Sequence, residues 1–405
     1  MSFPHRRNLS AAGMARASAF LAILALSITQ AGAATGQEAD LLAHEWGTFT
    51  SIAGNTGAAV EWFPWAVPSD LPEFVEHFES RDFKVNLAGT IRMETPVLYF
   101  YSPRETSVSV HVSFSRGLIT EWYPHASSFT PSEAQGKLRP VVLNAKDANG
   151  SITWLSVAIR PGDANPLARE ANESRYYAAR ATASAPLRVS APAGEQYEKF
   201  LFYRGVSLEA SPLSARALAD GSVAVENRSA EPIAELFLVE RRAGSAGFCT
   251  ISRLEKAATL PPPRLDSSVE AVSEQMLSAL MNQGLYPDEA QAMLETWKES
   301  WFEEGTRLLY IVPRTFVDRV LPLSISPAPR ETTRVFVGRL ELVSPRTAEA
   351  IESALGSGDE AALARYNRFL EPMLKILAER ERDPLKAAGI RRRLERPYAP
   401  LLAEK

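Results

Sequence analysis

The chain has 405 residues, of which 45% are hydrophobic and 23% are charged, and its net charge is −4 at pH 7. Those fractions are typical of a globular protein, and the negative charge argues against a nucleic-acid partner held through phosphate contacts. The single cysteine, Cys249, excludes an internal disulfide and a zinc site built from cysteines, so the fold must rely on packing.

The first 33 residues have the three parts of a secretory signal. Three arginines precede an apolar run from Ser18 to Ile28, and Ala31-Gly32-Ala33 follows as a signal-peptidase site. The run is much shorter than the roughly 20 residues that span a membrane. We therefore predict a signal peptide at 1–33, a periplasmic or secreted mature protein, and no stable membrane span. Arg6-Arg7 leaves open whether export follows the general secretory or the twin-arginine route.

Residues 34–260 are predicted to form a β-rich domain. The stretch from Ser107 to Phe114 alternates polar and apolar residues, with the valines and Phe114 on one face. Similar short runs recur along this part of the chain, separated by turn signals such as Asp147-Ala148-Asn149-Gly150 and Asp220-Gly221. Many short strands with such turns indicate an antiparallel β-sandwich-like fold.

Pro261-Pro262-Pro263 marks a predicted boundary, beyond which the hydrophobic period shifts towards 3.6 residues. Residues 261–405 are therefore predicted to form a second domain of mixed helices and strands, and the fold class of the whole chain is predicted to be α+β. The predicted helices are Val269–Asn282, Pro287–Glu304, Thr347–Leu355 and Glu360–Arg380, and the predicted strands are Thr306–Val312 and Thr333–Val343.

Three glutamates are candidate catalytic residues. Glu45, Glu94 and Glu121 each lie in an aromatic, strand-like context, where burial can raise the pKa of a carboxyl group. Glycoside cleavage uses two such groups, one of them kept protonated. The competing interpretation for Glu94 is a salt bridge with Arg92, because residues two apart on a strand share one face.

Candidate substrate-binding residues are aromatic or cationic side chains near these glutamates: Trp46, Arg92, Trp122, Tyr123 and Arg204. The pattern Glu-Trp-aromatic-Pro occurs twice, starting at Glu61 and at Glu121. One interpretation is a sugar-binding surface of aromatic planes beside acceptor groups. The other is that the tryptophans are buried in the core, as aromatic side chains usually are.

The sequence predicts neither a resident metal nor a cofactor. Four histidines follow the signal, His44, His77, His111 and His125, but they form no His-Glu-x-x-His or His-x-His pattern. A site assembled in space from His44, His125 and a carboxylate is the alternative. The glycine-rich motifs of nucleotide sites and the Gly-x-Ser-x-Gly motif of serine hydrolases are also missing from the sequence.

Four stretches resemble a group of exported bacterial proteins to which no activity is assigned. They are HEWGTFTS at His44, RMETPVLYFYSP at Arg92, GLITEWYP at Gly117, and the segment from Gly284 to Arg314. The resemblance covers most of the mature chain. It implies export and a two-part fold, and it carries over no catalytic residues.

Two functions from different classes are consistent with these observations. The first is a non-catalytic binding or structural protein of the cell envelope that contacts a glycan, a peptide or another envelope protein. The second is an envelope hydrolase of the glycosidase type that uses carboxylates among Glu45, Glu94 and Glu121. The oligomeric state is left open by the sequence.

Overall fold

The computed structural model describes residues 40–62, 70–77, 88–130 and 149–395. The predicted signal peptide at 1–33 lies outside the described residues, and so does the end of the chain from 396 to 405. The first two residues of the predicted turn, Asp147 and Ala148, and the residues Phe63-Pro64 of the repeated aromatic pattern also lie outside them.

Eighteen strands can be described, and they are numbered here in chain order: β1 (Leu42–Ile52), β2 (Glu76–His77), β3 (Ile91–Tyr101), β4 (Thr106–Phe114), β5 (Gly117–Tyr123), β6 (Ser128–Thr130), β7 (Gly150–Ile159), β8 (Leu187–Ala191), β9 (Gly194–Glu198), β10 (Leu201–Ser207), β11 (Leu213–Ala217), β12 (Val223–Asn227), β13 (Leu236–Arg242), β14 (Ser245–Ile251), β15 (Ala257–Leu260), β16 (Gly305–Ile311), β17 (Leu323–Ser326) and β18 (Glu331–Leu342).

The α-helices of the described part follow Pro261–Pro263: α1 (Val269–Asn282), α2 (Pro287–Trp301), α3 (Arg314–Val320), α4 (Pro345–Ser357), α5 (Glu360–Ala364), α6 (Leu370–Arg380) and α7 (Pro384–Glu395). Short 3₁₀ helices occupy Arg175–Arg180 and Asn367–Phe369. The predicted long helix at Glu360–Arg380 is broken by the second of these 3₁₀ helices, so it forms two α-helices.

The largest sheet has nine strands in the order β14-β13-β16-β18-β1-β3-β10-β5-β2. Strand β1 runs parallel to β18, and the other neighbouring pairs are antiparallel. Strands β16 and β18 come after Pro261–Pro263, whereas their neighbours β13 and β1 come before it. The predicted boundary at residues 260/261 therefore does not divide the molecule into two separate sheets, because backbone hydrogen bonds join strands from both sides of it.

Two smaller sheets cover one face of this central sheet. One has the order β17-β4-β7-β8-β9 with β6 beside β7, and the other has the order β11-β12-β15. Val110, Trp154 and Val225 of the smaller sheets share a hydrophobic core with Phe49 and Met93 of the central sheet. We call this face of the central sheet the sandwich side. Stacked sheets early in the chain and helices late in it confirm the predicted α+β class.

The opposite face of the central sheet, which we call the helix side, packs against α1, α2 and the 3₁₀ helix Arg175–Arg180. Trp297 and Trp301 lie four residues apart on α2, so they share one face of the helix. Both are buried in a second core together with Trp46 and Tyr99 of the central sheet. This packing fixes which strand residues meet the helices.

The helices α4 to α7 enclose a third core at one end of the central sheet. Ile52 and Val343 belong to it, and Trp62 packs on Phe369 with the ring centroids 5.5 Å apart. Within the described ranges, none of the helices is both long enough and apolar enough to cross a membrane.

Candidate functional site

Two of the three predicted catalytic glutamates point to the same side of the central sheet. Glu94 on β3 and Glu121 on β5 are both buried. Their chain neighbours Met93 and Trp122 belong to the core on the sandwich side. Because successive side chains of a strand alternate between its faces, Glu94 and Glu121 point to the helix side.

The third predicted glutamate, Glu45, points to the sandwich side. The Tyr203 hydroxyl donates a hydrogen bond to its carboxylate, and Arg334 Nε donates to the other carboxylate oxygen at 2.6 Å. Arg334 also donates to Asp318 at 2.8 Å. Glu45 therefore forms a buried ion pair across β1 and β18, and the structure does not bring it together with Glu94 and Glu121.

Irregular strand pairing surrounds Glu94 and Glu121. Strand β3 loses register with both β1 and β10 around Thr95, and β10 loses register with β5 next to Arg204. Thr95 has φ of 51°, in the left-handed region that side-chain-bearing residues rarely adopt. Bulges of this kind re-aim side chains, and strained backbone is found preferentially at functional sites.

The bulged strands present a group of charged side chains that we call the arginine cluster. It consists of the cations Arg92, Arg175, Arg204 and Arg368, the carboxylates Asp70, Glu94 and Glu121, and the hydroxyl of Tyr176. Around Glu94, the Arg368 Nη1–Oε1 distance is 2.9 Å and the Arg92 Nε–Oε1 distance is 3.4 Å. The predicted salt bridge between Arg92 and Glu94 is therefore present, within a larger set of charges.

Arg204 connects this part of the cluster to Asp70 and Tyr176. Its Nη1 lies 3.1 Å from Asp70 Oδ1, and its Nη2 donates to the Tyr176 hydroxyl at 2.6 Å. That hydroxyl in turn donates to Asp70 Oδ2 at 2.5 Å. Arg204 is also the cross-strand partner of Glu121, whose carboxylate accepts from the Thr120 hydroxyl at 2.5 Å.

Burial and mutual charge shift the protonation equilibria of the cluster. Burial alone raises the pKa of Glu94, but Arg368 and Arg92 outweigh it and hold that pKa below the ordinary 4.5. Burial likewise raises the pKa of Asp70, and Arg204 and Arg175 reverse the shift and bring it well below its usual range. Burial lowers the pKa of Arg92 to about 10, with Glu94 opposing the shift.

Several buried polar atoms beside the arginine cluster have no hydrogen-bond partner among the described residues. They include the hydroxyls of Thr48, Thr50 and Thr95, the Nε of Arg204, and Oε1 of Glu94, which is ion-paired with Arg368 but accepts no hydrogen bond. Thr48 pairs with Glu94 across β1 and β3, so its hydroxyl shares the face of the cluster. Leaving one such group unsatisfied costs roughly 1–3 kcal/mol. Unused donors grouped beside cations are able to bind a ligand that carries acceptor oxygens.

Solvent reaches the arginine cluster at one end. The side chain of Asp70 is 41% exposed and that of Arg175 is 25% exposed, whereas Arg204 is 1% exposed. Beside the cluster lies a largely apolar slot with a volume of about 30 Å³, whose walls include Val97, Ala179 and Phe202. Thr95 and Tyr176 line the slot as well, and therefore belong to both features.

The remaining predicted binding residues have different positions. Trp46 is buried on the helix side, where it packs on Tyr99 with the centroids 6.3 Å apart. Trp122 points to the sandwich side and packs on Phe129 at 4.6 Å. Tyr123 lines the apolar slot. The two tryptophans of the repeated pattern, Trp62 and Trp122, are thus buried in different cores and do not share a sugar-binding surface.

The histidines do not converge on a common site. Nδ1 of His44 lies 2.9 Å from Glu289 Oε2, and Nδ1 of His125 lies 2.8 Å from Glu76 Oε1. Because His44 and His125 have different glutamate partners, the alternative of a metal site containing both gains no support. Among the residues that the structure describes, no three metal-ligating side chains are grouped closely enough to hold an ion.

Of the predicted site residues, the structure brings together Arg92, Glu94, Glu121 and Arg204. Sequence reasoning missed Asp70, Arg175, Tyr176, Arg368 and the three threonines. Arg368 comes from a 3₁₀ helix far along the chain, and it meets Glu94 because the third core packs against β1, the neighbour of β3. Alternation along β1 was the available signal for Thr48 and Thr50, which share a face with Trp46.

Comparison with models of known protein families gives no match to this sequence. The search of curated proteins also gives none.

Proposed function

We propose that this is an exported protein of the cell envelope that binds the acidic group of a glycan or peptide in the arginine cluster. The observation that carries the proposal is the set of unused donors, the Thr48, Thr50 and Thr95 hydroxyls and Arg204 Nε, beside buried guanidinium groups. An anion with acceptor oxygens would satisfy these donors and the cations at once. Charge-assisted hydrogen bonds of this kind are the strong ones in proteins.

The state of Arg92 supports an anionic ligand. Its pKa falls to about 10 because the side chain is buried and because Arg204 and Arg368 repel its charge. A bound anion would oppose the fall in the pKa of Arg92, because it places a negative charge beside the guanidinium group. The solvent-exposed end of the cluster, at Asp70 and Arg175, gives such a ligand access from solvent. The hydroxyl of Tyr176 lies beside it and can form a hydrogen bond to the ligand.

Binding is supported better than the alternative, a carboxylate-dependent hydrolase. A glycosidase needs one carboxyl group that stays protonated near neutral pH. Glu94 and Asp70 are held ionised by their arginine neighbours, so neither has the raised pKa of a general acid.

Export is part of the proposal and is supported by the leader at 1–33. Fractionation of the producing cell tests it directly. We expect the processed chain, starting near residue 34, in the periplasm or the medium. Recovery of the intact chain from the cytosol would contradict export and remove the envelope ligands from consideration.

The binding proposal is tested by calorimetric titration of the purified protein with acetate, glucuronate, inorganic phosphate and uncharged glucose. We expect at least one anion to bind and glucose not to bind. Arg204→Gln should weaken anion binding by about 10- to 100-fold, the range expected for losing charged hydrogen bonds. Arg216→Gln is the matched control, because Arg216 is an exposed arginine on β11 outside the cluster.

The outcomes separate the two functions. Binding that is equally strong in Arg204→Gln places the ligand elsewhere and contradicts the proposed site. Hydrolysis of a polysaccharide or peptide panel that is lost in Glu121→Gln would favour the hydrolase instead.

A further inference from the structure

We infer that the ligand of the arginine cluster is a small aliphatic monocarboxylate, with its carboxylate in the cluster and its alkyl group in the adjoining apolar slot. This inference rests on the proposed anion site and narrows its ligand to a carboxylate on a short alkyl group, which excludes the acidic sugar of a glycan from the same site. It is carried by three features of the described residues: the charge balance of the cluster, the kind of donors left over, and the size and lining of the slot.

The charge balance favours a ligand with a single negative charge. The cluster as defined contains four arginines and three carboxylates, a formal excess of one positive charge. A monoanion neutralises that excess. A phosphate dianion would instead place an uncompensated negative charge beside Glu94 and Asp70, which are themselves ionised. Burying an uncompensated charge is strongly unfavourable.

The leftover donors suit a carboxylate. Arg204 Nε and the hydroxyls of Thr48, Thr50 and Thr95 are distributed over three adjacent strands, β10, β3 and β1. A carboxylate has two oxygens with about four acceptor positions, which a guanidinium group and hydroxyls can occupy together. A neutral amide has one acceptor oxygen, and its NH₂ group would face Arg204.

The slot limits what is attached to the carboxylate. A volume of about 30 Å³ corresponds to roughly two water molecules, which is room for a chain of two or three carbon atoms and not for a sugar ring. Its walls at Val97, Ala179 and Phe202 are apolar, so an alkyl group is stabilised there by burial. Thr95 and Tyr176 line both the slot and the cluster, which joins the two parts of the ligand.

The inference is tested by titrating the protein with acetate, butyrate, butyramide and inorganic phosphate. Butyrate adds two methylene groups to acetate, and their burial should tighten binding roughly tenfold. Butyramide and phosphate should each bind at least tenfold more weakly than butyrate. All carboxylate binding should depend on Arg204, because the carboxylate sits in the cluster.

Slot-filling variants provide the sharper test. Val97→Ile and Ala179→Val each add carbon to the slot wall, so butyrate should fall to the affinity of acetate, while acetate binding is unchanged. Two variants are used because either alone could disturb packing, and circular dichroism with a thermal melt confirms folding. Val225→Ile, a buried valine of β12 in the core on the sandwich side, is the matched control.

Failure of this inference can be distinguished from failure of the proposed function. Arg204-dependent binding in which butyrate is no tighter than acetate overturns the alkyl slot and leaves an anion site. Phosphate binding more tightly than butyrate overturns the monocarboxylate. The lack of any anion binding that depends on Arg204 overturns both the ligand class and the site itself.

Discussion

Two groups of buried charges lie on the helix side of the central sheet, and they differ in how completely their hydrogen-bond donors are used. The first, which we call the closed network, consists of Glu303, Arg307, Arg339 and Glu341. Arg307 Nε lies 2.7 Å from Glu341, and its two Nη atoms donate to backbone carbonyls at 2.6–3.1 Å. The second is the arginine cluster, where arginines outnumber carboxylates and nearby donors are unused.

The closed network is also balanced in charge. Arg339 donates to Glu341, to Ser300 and to Glu303, each at 2.7 Å, so two arginines face two glutamates. Balanced charges and used donors are what a structural ion network requires.

The arginine cluster, on the same face of the sheet, has excess positive charge and unused donors, which is the arrangement expected of an anion-binding site. Buried arginine does not mark a site by itself, and neither does a single unpaired atom, since Glu341 Oε2 of the closed network and Arg334 Nη2 beside Glu45 also have no hydrogen-bond partner in the described structure. The arginine cluster differs in its excess of arginines over carboxylates and in the grouping of several unused hydroxyls beside them.

Removing the shared counter-charge of the closed network should reduce the stability of the fold more than any other change proposed here. Glu341→Gln leaves Arg307 and Arg339 buried without their shared counter-charge, which should destabilise the protein by about 3–5 kcal/mol. Urea unfolding followed by fluorescence measures the change. Glu352→Gln, an exposed glutamate on α4, should be within about 0.5 kcal/mol of wild type. Equal stability of the two variants would show that the closed network is not structural.

The next effect concerns the arginine cluster with its ligand. A ligand that binds only the folded state, present at a hundred times its Kd, stabilises it by about 2.7 kcal/mol. We expect butyrate to raise the thermal midpoint of wild type and of Glu352→Gln, and to leave Arg204→Gln unchanged. A shift in Arg204→Gln as large as in wild type would place the ligand outside the cluster.

Replacing a hydroxyl that has a hydrogen-bond partner and one that has none should change stability in opposite directions. Thr50 has no hydrogen-bond partner in the described structure, so Thr50→Val should stabilise the ligand-free protein by about 1 kcal/mol and weaken anion binding. Thr306, whose hydroxyl lies 2.9 Å from that of Ser344 on the face of β16 opposite the closed network, should behave oppositely. Thr306→Val should destabilise the protein by about 1 kcal/mol and leave binding unaffected. Chemical unfolding with and without ligand measures both variants.

The smallest predicted change is in the pH dependence of stability. Arginines hold the pKa of Glu94 below its ordinary value of 4.5 in the folded state, so the unfolded chain binds more protons as pH falls. The stabilisation from Glu94 is therefore complete above pH 4.5 and is lost as pH drops through the folded pKa. In unfolding measurements below pH 4.5, Glu94→Gln should show a shallower loss of stability than wild type. An identical slope would mean that Glu94 is not ionised in the fold.

Local alternation made part of this structure predictable. The α+β class follows from short alternating strands before Pro261 and helical periodicity after it. Arg92 and Glu94 lie on the same face of the sheet, and Glu121 and Trp122 point to opposite faces, because the side-chain direction along a strand repeats every two residues. These relations involve residues close together in sequence.

The parts that escaped prediction depend on which strands become neighbours. Glu45 was grouped with Glu94 because both are glutamates in aromatic strands, but their opposite faces follow from the pairing of β1 with β3 and β18. Arg368 reaches Glu94 from 274 positions along the chain. The proline run marks the point where the chain changes from short strands to helices. The central sheet nevertheless contains strands from both sides of it, because β16 and β18 pair with strands far earlier in the sequence.

The parallel pairing of β1 with β18 has a consequence for how the protein is made. Strand β1 can pair with β3 early, but its parallel partner β18 exists only once residues 331–342 have been synthesised, so the middle of the central sheet cannot close on a nascent chain. Folding that waits for such distant contacts is slow. If the proposed export follows the general secretory route, this delay would leave the chain without its closed central sheet while it crosses the membrane.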